Sequence, residues 1–458
     1  MKKNLVMSLV AVGLLTSANA ADDLSSMFKD GKVSGQIREF SILRNTNYTV
    51  AKDFERTANT VGGYLKYETA DYQGLSLGAA FYTTNGFGLG TTLTDKTVDP
   101  TLLGKNGTSY SLLGEAYVQY KNGKTTFKGG RQKLDTPLAG SDDARMLPSL
   151  FEAYVLTNTD IANTTLVAAH VTQEAAGTFA NGYNGGVLGA TSGYTAVAGN
   201  TVKHQGEFTN MGTWAVNKDT KGVSTAAAVY ANGSLKAQVW DYYAYDILNA
   251  VYGEASIGWN CLLTDKIKPS LSAQMIKENA VGERYAGDVN SFFGAAKFNA
   301  AIGDANIFVA YSEQSKADTL PTDPNPTTQA TLQTQAALAK STISPWGGMP
   351  AYTQGMVTRH QFMAGTKATK VAASYDFKNM GANVVASAYY TSFDMDKNNG
   401  YGVARIATEP GFDIAFKPAA VKNLELKLRG NFPRKYEDST TNGIRDWDEY
   451  RFIANYNF

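Results

Sequence analysis

Residues 449–458 read EYRFIANYNF, and two chemically different sets of side chains alternate along them. One set is aromatic apart from an alanine and consists of Tyr450, Phe452, Ala454, Tyr456 and Phe458. The other set is polar apart from an isoleucine and consists of Glu449, Arg451, Ile453, Asn455 and Asn457. Because successive side chains of a β-strand point to opposite faces, this strand has one apolar and one polar face. Such strands are typical of transmembrane β-barrels, in which the apolar face contacts lipid.

The two ends of the chain indicate export to the bacterial outer membrane. A terminal aromatic residue such as Phe458 resembles the assembly signal of bacterial outer-membrane proteins. At the other end, Lys2 and Lys3 precede an apolar run at 5–15, and residues 18–20 read ANA, a small-residue cleavage pattern. The run is shorter than the about 20 residues of a membrane-spanning helix, which disfavours an uncleaved anchor. We therefore expect a signal peptide at 1–20 and a mature protein at 21–458.

Composition excludes several classes of protein. Without residues 1–20 the chain keeps 40 of its 42 basic residues against 41 acidic ones, so nothing suggests a nucleic-acid partner. No later stretch has 18 consecutive apolar residues, so no transmembrane helix is predicted. The 26 Tyr and 44 Gly suit strands and tight turns. Cys261 is the only cysteine and cannot form an internal disulfide; we interpret it as a buried or lipid-facing thiol.

Amphipathic segments recur along the whole of 21–458 and predict about eighteen strands. They lie near 32–43, 61–70, 75–83, 110–120, 125–131, 151–157, 164–172, 222–230, 234–243, 249–259, 270–278, 290–299, 305–313, 369–377, 382–391, 409–417, 423–432 and 448–458. An even number is expected of a bacterial barrel, because both of its ends then lie on the periplasmic side.

The connections between these segments alternate between short and long. Tight turns are predicted at 71–74, 121–124, 231–233 and 378–381, and long loops at 84–109, 173–221 and 314–368. Short periplasmic turns and long outer loops are the pattern of a transmembrane barrel. We find no linker that would divide the chain, so the predicted fold is one all-β antiparallel barrel. A secreted β-sandwich or β-helix is the alternative, and it would not explain the short–long rhythm.

Charged residues on the polar faces indicate what the barrel encloses. In 423–432 the leucines 424, 426 and 428 lie opposite Glu425, Lys427 and Arg429, and in 369–377 Lys370 lies opposite Val371. A cation on the lipid face at mid-bilayer costs about 2–4 kcal/mol, so the charged faces must point inward. A barrel of this size leaves an aqueous lumen. The sequence therefore predicts a water-filled channel whose wall carries basic side chains.

Three blocks of the sequence resemble the OprD family of outer-membrane porins. Residues 129–137 read GGRQKLDTP, and residues 141–148 follow with SDDARMLP before Phe151-Glu152-Ala153. Residues 345–353 read PWGGMPAYT, and residues 28–38 read FKDGKVSGQIR. The resemblance extends over the mature chain, with 173–221 as its least familiar part. It implies an eighteen-stranded barrel whose third outer loop folds inward, and the strand count places that loop at about 132–150.

The resemblance also implies a ladder of basic side chains that passes small carboxylate-bearing solutes. Arg131 and Arg145 lie in or beside the matched constriction blocks, with Asp142 and Asp143 as partners, one of which would brace Arg145. The other candidate lumen residues follow from alternation or, for Arg38, from the N-terminal match: Lys66, Lys370, Lys427, Arg429, Arg451 and Arg38. Strict alternation from Arg131 would place Phe127 in the lumen as well, so we expect a bulge near Gly129-Gly130.

The predicted function is passive, substrate-preferring diffusion of small hydrophilic solutes, with carboxylate-bearing anions or amino acids favoured. A general porin is the alternative, followed by a surface adhesin and a barrel enzyme. The sequence shows no nucleophile–histidine–acid set, no metal-ligand spacing and no cofactor motif, so no catalytic or metal site is predicted. The expected partners are solutes, outer-membrane lipid and the outer-membrane assembly machinery. A monomer and a loose trimer both fit the sequence.

Overall fold

A computed structural model describes residues 21–86, 97–104, 107–182, 185–319, 324–439 and 442–458, so the predicted signal peptide lies outside the described residues. Eighteen long strands are present in these ranges. They are β1 Lys32–Tyr48, β2 Phe54–Glu68, β3 Leu75–Asn85, β4 Tyr110–Asn122, β5 Thr125–Gln132, β6 Leu150–Asn158, β7 Thr164–Ala175, β8 Val223–Asn232, β9 Leu235–Ala244, β10 Leu248–Gly258, β11 Ile267–Ala280, β12 Asn290–Ile302, β13 Ala305–Gln314, β14 Lys367–Asp376, β15 Val384–Met395, β16 Arg405–Phe416, β17 Leu424–Asn431 and β18 Gly443–Asn457.

Shorter elements lie in the loops and near the chain's beginning. The short strands are Asp135–Thr136, Ala139–Gly140, Thr209–Asn210 and Glu437–Ser439. The α-helices are α1 Leu24–Lys29, α2 Gly186–Thr191, α3 Asn200–Lys203, α4 Met211–Val216 and α5 Pro326–Lys340, and the 3-10 turns are Thr178–Gly182, His360–Phe362 and Phe377–Met380. Among the described residues, no helix is both long and apolar enough to cross a membrane.

The sheet is closed by its first and last strands. Arg38 on β1 lies opposite Gly62 on β2 and opposite Asn455 on β18, and both pairings are antiparallel. Every neighbouring pair in between is antiparallel as well, ending with β17 against β18. Closure leaves no unpaired edge, which a sheet in lipid requires. The predicted eighteen-stranded antiparallel barrel is therefore confirmed.

The alternation predicted for 449–458 is present in β18. Phe452 and Phe458 are exposed on the outside, whereas Glu449 and Arg451 are buried inside the barrel. Several other strands run further than predicted: β1 continues to Tyr48 and β2 begins at Phe54. Outer-face positions in these extensions, such as Asn45 and Glu55, are polar, so the apolar half of the pattern is lost there although the strand pairing continues.

Loop 3, defined as residues 133–149, lies inside the barrel. Its Leu138 N–H donates to the hydroxyl of Tyr242 on β9 at 3.4 Å, and its Arg145 reaches Glu449 on β18 at 2.9 Å. Because both partners point inward from different parts of the wall, the loop spans the lumen between them. Gly62 lies close both to β3 and to the loop, since a Cβ there would lie 2.0 Å from the Thr83 carbonyl oxygen and 2.8 Å from the Met146 methyl carbon.

Candidate functional site

Glu449 fixes loop 3 to the barrel wall. Its Oε1 accepts hydrogen bonds from Arg145 Nη2 at 2.9 Å and Arg451 Nε at 2.5 Å, and its Oε2 accepts one from Arg44 Nε at 2.9 Å. Arg145 and Arg451 are each only 1% exposed. Arg145 comes from loop 3, whereas Arg44 and Arg451 belong to β1 and β18, so one carboxylate joins the loop to the two strands that close the barrel.

Asp143 holds two cations at the edge of loop 3. Arg38 Nη1 donates to Asp143 Oδ1 at 2.7 Å and to the carbonyl of Arg145 at 2.6 Å. Lys133 Nζ lies 3.3 Å from Asp143 Oδ2. Burial alone would raise the pKa of Asp143, but Arg38 and Lys133 hold it below its ordinary value. Asp143 therefore stays ionised and orients both cations.

Asp142 connects loop 3 to loop 7, defined as residues 315–366. Its Oδ1 lies 3.5 Å from Arg359 Nη2, and Arg359 Nη1 donates to the carbonyls of Gly348 at 2.9 Å and Ser192 at 3.0 Å. Burial raises the pKa of Asp142, and the nearby Arg359 opposes that shift. The expected brace of Arg145 by one of the two aspartates is not what the structure has, because Glu449 takes that role.

The block PWGGMPAYT of loop 7 packs directly on loop 3. The Met349 N–H donates to the Pro137 carbonyl at 2.6 Å, and the Gly140 N–H donates to the Trp346 carbonyl at 3.1 Å. Gly347 and Gly348 have φ of +76° and +75°, a region in which only glycine is unstrained. The two glycines therefore permit the turn that brings this block against loop 3, so part of the predicted outer loop 314–368 also lies in the lumen.

Loop 4, defined as residues 176–222, is locked to loop 7 by two tryptophans. Trp346 Nε1 donates to the Met211 carbonyl at 2.9 Å, and Trp214 Nε1 of α4 donates to the Pro345 carbonyl at 2.8 Å. Both indoles are buried. Residues 173–221, the part of the chain that resembles the OprD family least, thus contribute to the packing that narrows the barrel.

A cavity of about 360 Å³ lies between loop 3 and the wall formed by β1–β6. Lys66 enters it and pairs with Glu115 at 3.1 Å, and the same carboxylate accepts from the Tyr82 hydroxyl at 2.8 Å. Lys128 also lines it and lies 3.7 Å from the centre of the Tyr117 ring. The cavity is large enough for a small organic solute and offers cations, hydroxyls and amides.

Three lysines of the inner wall lie over aromatic rings. Lys128 faces Tyr117 at 3.7 Å, Lys297 faces Tyr352 at 4.3 Å and Lys370 faces Tyr389 at 4.5 Å. Lys370 also donates to the Gln354 carbonyl at 2.6 Å. None of the three forms an ion pair with a carboxylate of the described residues. A ring face attracts an ammonium group without pairing it to an acid, so these three lysines differ from the inward cations that form ion pairs.

Other inward cations are neutralised by neighbouring acids. Lys427 lies 2.6 Å from Glu425, and Arg429 lies 2.6 Å from Asp413. All four side chains are roughly a quarter exposed and point into the lumen. Such pairs present a dipole to a passing solute rather than a free charge.

Arg131 does not lie where the sequence placed it. It lies on the same face of β5 as Phe127, which is 41% exposed. Its partner Glu152, at 3.5 Å, lies on the same face of β6 as Tyr154, which is 53% exposed. The pairing of β5 with β4 runs through Gly129-Gly130 without a shift, so the expected bulge is absent there. The bulge lies at Gly114 on β4 instead. Unbroken alternation therefore turns Arg131 outward and Lys128 inward.

Sequence reasoning missed several residues of the site. Lys128 was not among the predicted lumen residues, although the expected bulge near Gly129-Gly130 would turn Phe127 outward and Lys128 inward. Lys297 follows Ala295 and Ala296 in a strand whose inner face has little charge, so alternation alone did not single it out. Nothing in the sequence signals that Glu449 gathers three arginines, since two of them, Arg145 and Arg44, are 304 and 405 positions away.

Comparison with known proteins agrees with this geometry. The family model described as outer membrane porin, OprD family, matches residues 26–458. The chain belongs to the OprD family. No curated protein matches the sequence in a search of such proteins. Solved structures that are similar to the chain share under 25% identity with it and show the fold alone.

Three of these structures illustrate the likeness. Pseudomonas aeruginosa OccK9 (OpdG) has a TM-score of 0.70 at 18% identity, and P. aeruginosa OpdK with vanillate has 0.68 at 14%. Acinetobacter baumannii OccAB2 has 0.68 at 17%. Each comparison covers 94% of this chain and 99% of the other. The protein is therefore an integral outer-membrane β-barrel channel of the OprD family, and this family and fold are those of channels rather than enzymes.

Proposed function

We propose that the channel prefers small carboxylate-bearing solutes, and that the three lysines held on tyrosine rings are the groups that bind them. The observation that carries the proposal is the contrast between Lys128, Lys297 and Lys370, which have no acidic partner among the described residues, and cations such as Lys427, which do. An ammonium that already pairs with a carboxylate gains little from a second anion, whereas an unpaired one gains a charge-assisted hydrogen bond.

The proposed mechanism is weak, repeated binding along the wall. Conduction requires that each site attract the solute without trapping it. Lys297 and Lys370 come from β12 and β14, on either side of β13, and both lie near the ring of Phe308, at 5.8 and 6.0 Å. A carboxylate can therefore pass from one ammonium to the next, while the ring between them contacts the apolar part of the solute.

Single-channel recording with a small dicarboxylate such as succinate tests this proposal. We expect brief current blocks in the wild type and several-fold fewer of them in the Lys297→Gln, Lys370→Gln double variant. The matched control is Asp413→Asn, Arg429→Gln, which removes one ion pair without changing the net charge and should leave the blocks unchanged. Equal blocking in all three channels, or none by any small carboxylate, would leave only a general porin.

A further inference from the structure

A second, much smaller cavity of about 20 Å³ lies beside the Glu449 cluster, which consists of Glu449, Arg44, Arg145 and Arg451. Three guanidinium side chains line it: Arg44 of β1, Arg145 of loop 3 and Arg445 of β18. Thr101, Tyr436 and Trp447 also contribute polar groups to its lining. The volume suits one water molecule or one ion of similar size, since about 10–15 Å³ is needed for a single water.

Basic side chains outnumber acidic ones around this cavity. No aspartate or glutamate is among its described lining residues. The lining arginines pair with three carboxylates: Glu449 contacts Arg44 and Arg145, Asp99 lies 3.4 Å from Arg44 and accepts from the Thr101 hydroxyl, and Glu437 lies 3.0 Å from Arg445 Nη1. Glu449 is shared with Arg451, so four arginines meet three carboxylates and the cluster keeps a net positive charge.

Two buried donors at the cavity have no protein acceptor among the described residues. Trp447 is only 4% exposed, and its Nε1 makes no hydrogen bond; the same is true of Arg445 Nε. The two side chains are adjacent, with Arg445 Cζ 5.0 Å from the Trp447 ring. A buried donor that lacks an acceptor is unfavourable, and polar groups in native proteins nearly always find one. The acceptor that fits here must be small, and the surrounding arginines favour a negative one.

We propose that this cavity binds one small monoanion of about the size of chloride, held by the Trp447 indole N–H and the Arg445 guanidinium. The site is separate from the lysines of the inner wall, so it does not depend on which solute the channel passes. Its anion would partly neutralise the arginines where loop 3 joins β1 and β18, and so stabilise the loop in its inward position.

Anomalous diffraction from crystals of the full mature chain grown with bromide tests the site directly. We expect one bromide peak within hydrogen-bond distance of Trp447 Nε1, and its loss in Trp447→Phe, which removes the N–H and keeps an aromatic ring. Acetate at the same concentration should leave the peak in place because it is too large for the cavity. Absence of the peak from wild-type crystals, or its displacement by acetate, would overturn the proposal.

Thermal unfolding at constant ionic strength gives an independent readout. Replacing sodium methanesulfonate with sodium bromide should raise the Tm of the wild type in a saturable way, because a ligand that binds only the folded state stabilises it. Trp447→Phe should lose this rise. Arg284→Gln is the control: Arg284 is 62% exposed, pairs with Asp288 and lies outside the cavity, so the rise should persist. The same rise in wild type and Trp447→Phe would contradict an anion bound at this place.

Discussion

At the scale of single residues, the arginines inside this barrel have two different roles. Arg145 is 1% exposed and forms an ion pair with Glu449, so it supports loop 3 and is not accessible to solutes. Arg451 does the same from β18 and also donates to Asn431 at 2.8 Å. Arg38 lines the large cavity but is held by Asp143. An arginine in a matched motif is therefore not necessarily a group that binds solute. Whether it binds depends on which acidic side chains it already contacts.

Breaking the buried pair between Arg145 and Glu449 should destabilise the barrel strongly. Glu449→Gln keeps the side-chain volume but leaves Arg145 and Arg451, each 1% exposed, without a carboxylate, for which a loss of about 3–5 kcal/mol is expected. The free energy of unfolding in detergent or lipid, measured by urea titration, checks this value. Arg284→Met is the control, because the Arg284–Asp288 pair is 62% and 82% exposed and should be worth at most about 1 kcal/mol. Similar losses in both variants would refute the role given to Arg145.

The lowered pKa of Asp143 predicts how the loop 3 contact responds to acid. A carboxyl group with a lower pKa in the folded state stabilises that state above its unfolded pKa of about 3.9 and loses this effect as the pH falls through its folded value. The difference in unfolding free energy between wild type and Asp143→Asn should therefore be constant from pH 7 to about 5 and shrink below about pH 4. A difference that stays constant or grows on acidification would contradict the ion pairs with Arg38 and Lys133.

Part of this residue-level picture could be predicted from sequence. Alternation placed Lys66, Lys370, Lys427 and Arg429 on the inner face, where the structure has them, because parity is a local property of a strand. It could not show which of them are neutralised, since that depends on other strands: Lys66 of β2 pairs with Glu115 of β4 across β3, 49 positions away. Arg131 shows the limit of motif matching, because unbroken alternation across Gly129-Gly130 turns it outward.

At the scale of elements, loops 3, 4 and 7 form one packed unit in the lumen. Loop 7 donates to the carbonyls of loop 3 through Met349 and Ser344, and it exchanges tryptophan hydrogen bonds with loop 4. Strand positions were predictable because their pattern repeats locally. The packing of three loops was not, because loops have no periodicity and their contacts join residues more than 100 positions apart. Only the match of two blocks to the OprD family indicated that anything folds inward.

Trp346→Phe should loosen this unit without removing it. The change deletes the N–H that bonds the Met211 carbonyl, and one hydrogen bond of this kind contributes about 0.5–1.5 kcal/mol. We expect noisier single-channel currents, because loops 4 and 7 then separate more often, with little change in the mean ion selectivity. The exposed Trp259 in a turn between β10 and β11 supplies the control, and Trp259→Phe should leave the current noise unchanged. Quiet currents in the Trp346 variant would show that the indole bond does not hold the loops.

At the scale of the whole molecule, the terminal stretch 449–458 has three roles. It pairs with β1 and so closes the barrel, its aromatic face meets lipid, and its polar face carries Glu449 and Arg451, which fix loop 3. The first two roles were predictable from alternation and position. The third was not, because the partners Arg44 and Arg145 come together only when the sheet closes. The fold could thus be read from sequence almost completely, and the site only as a set of candidate cations.

The ion selectivity of the purified channel, measured as the reversal potential across a planar bilayer in a salt gradient, tests the central claim most directly. If the unpaired lysines set the field inside the pore, chloride should be more permeant than potassium. The triple variant Lys128→Gln, Lys297→Gln, Lys370→Gln should shift the reversal potential toward cation preference. Strong cation selectivity in the wild type that the triple variant leaves unchanged would contradict a lysine-lined channel for carboxylates.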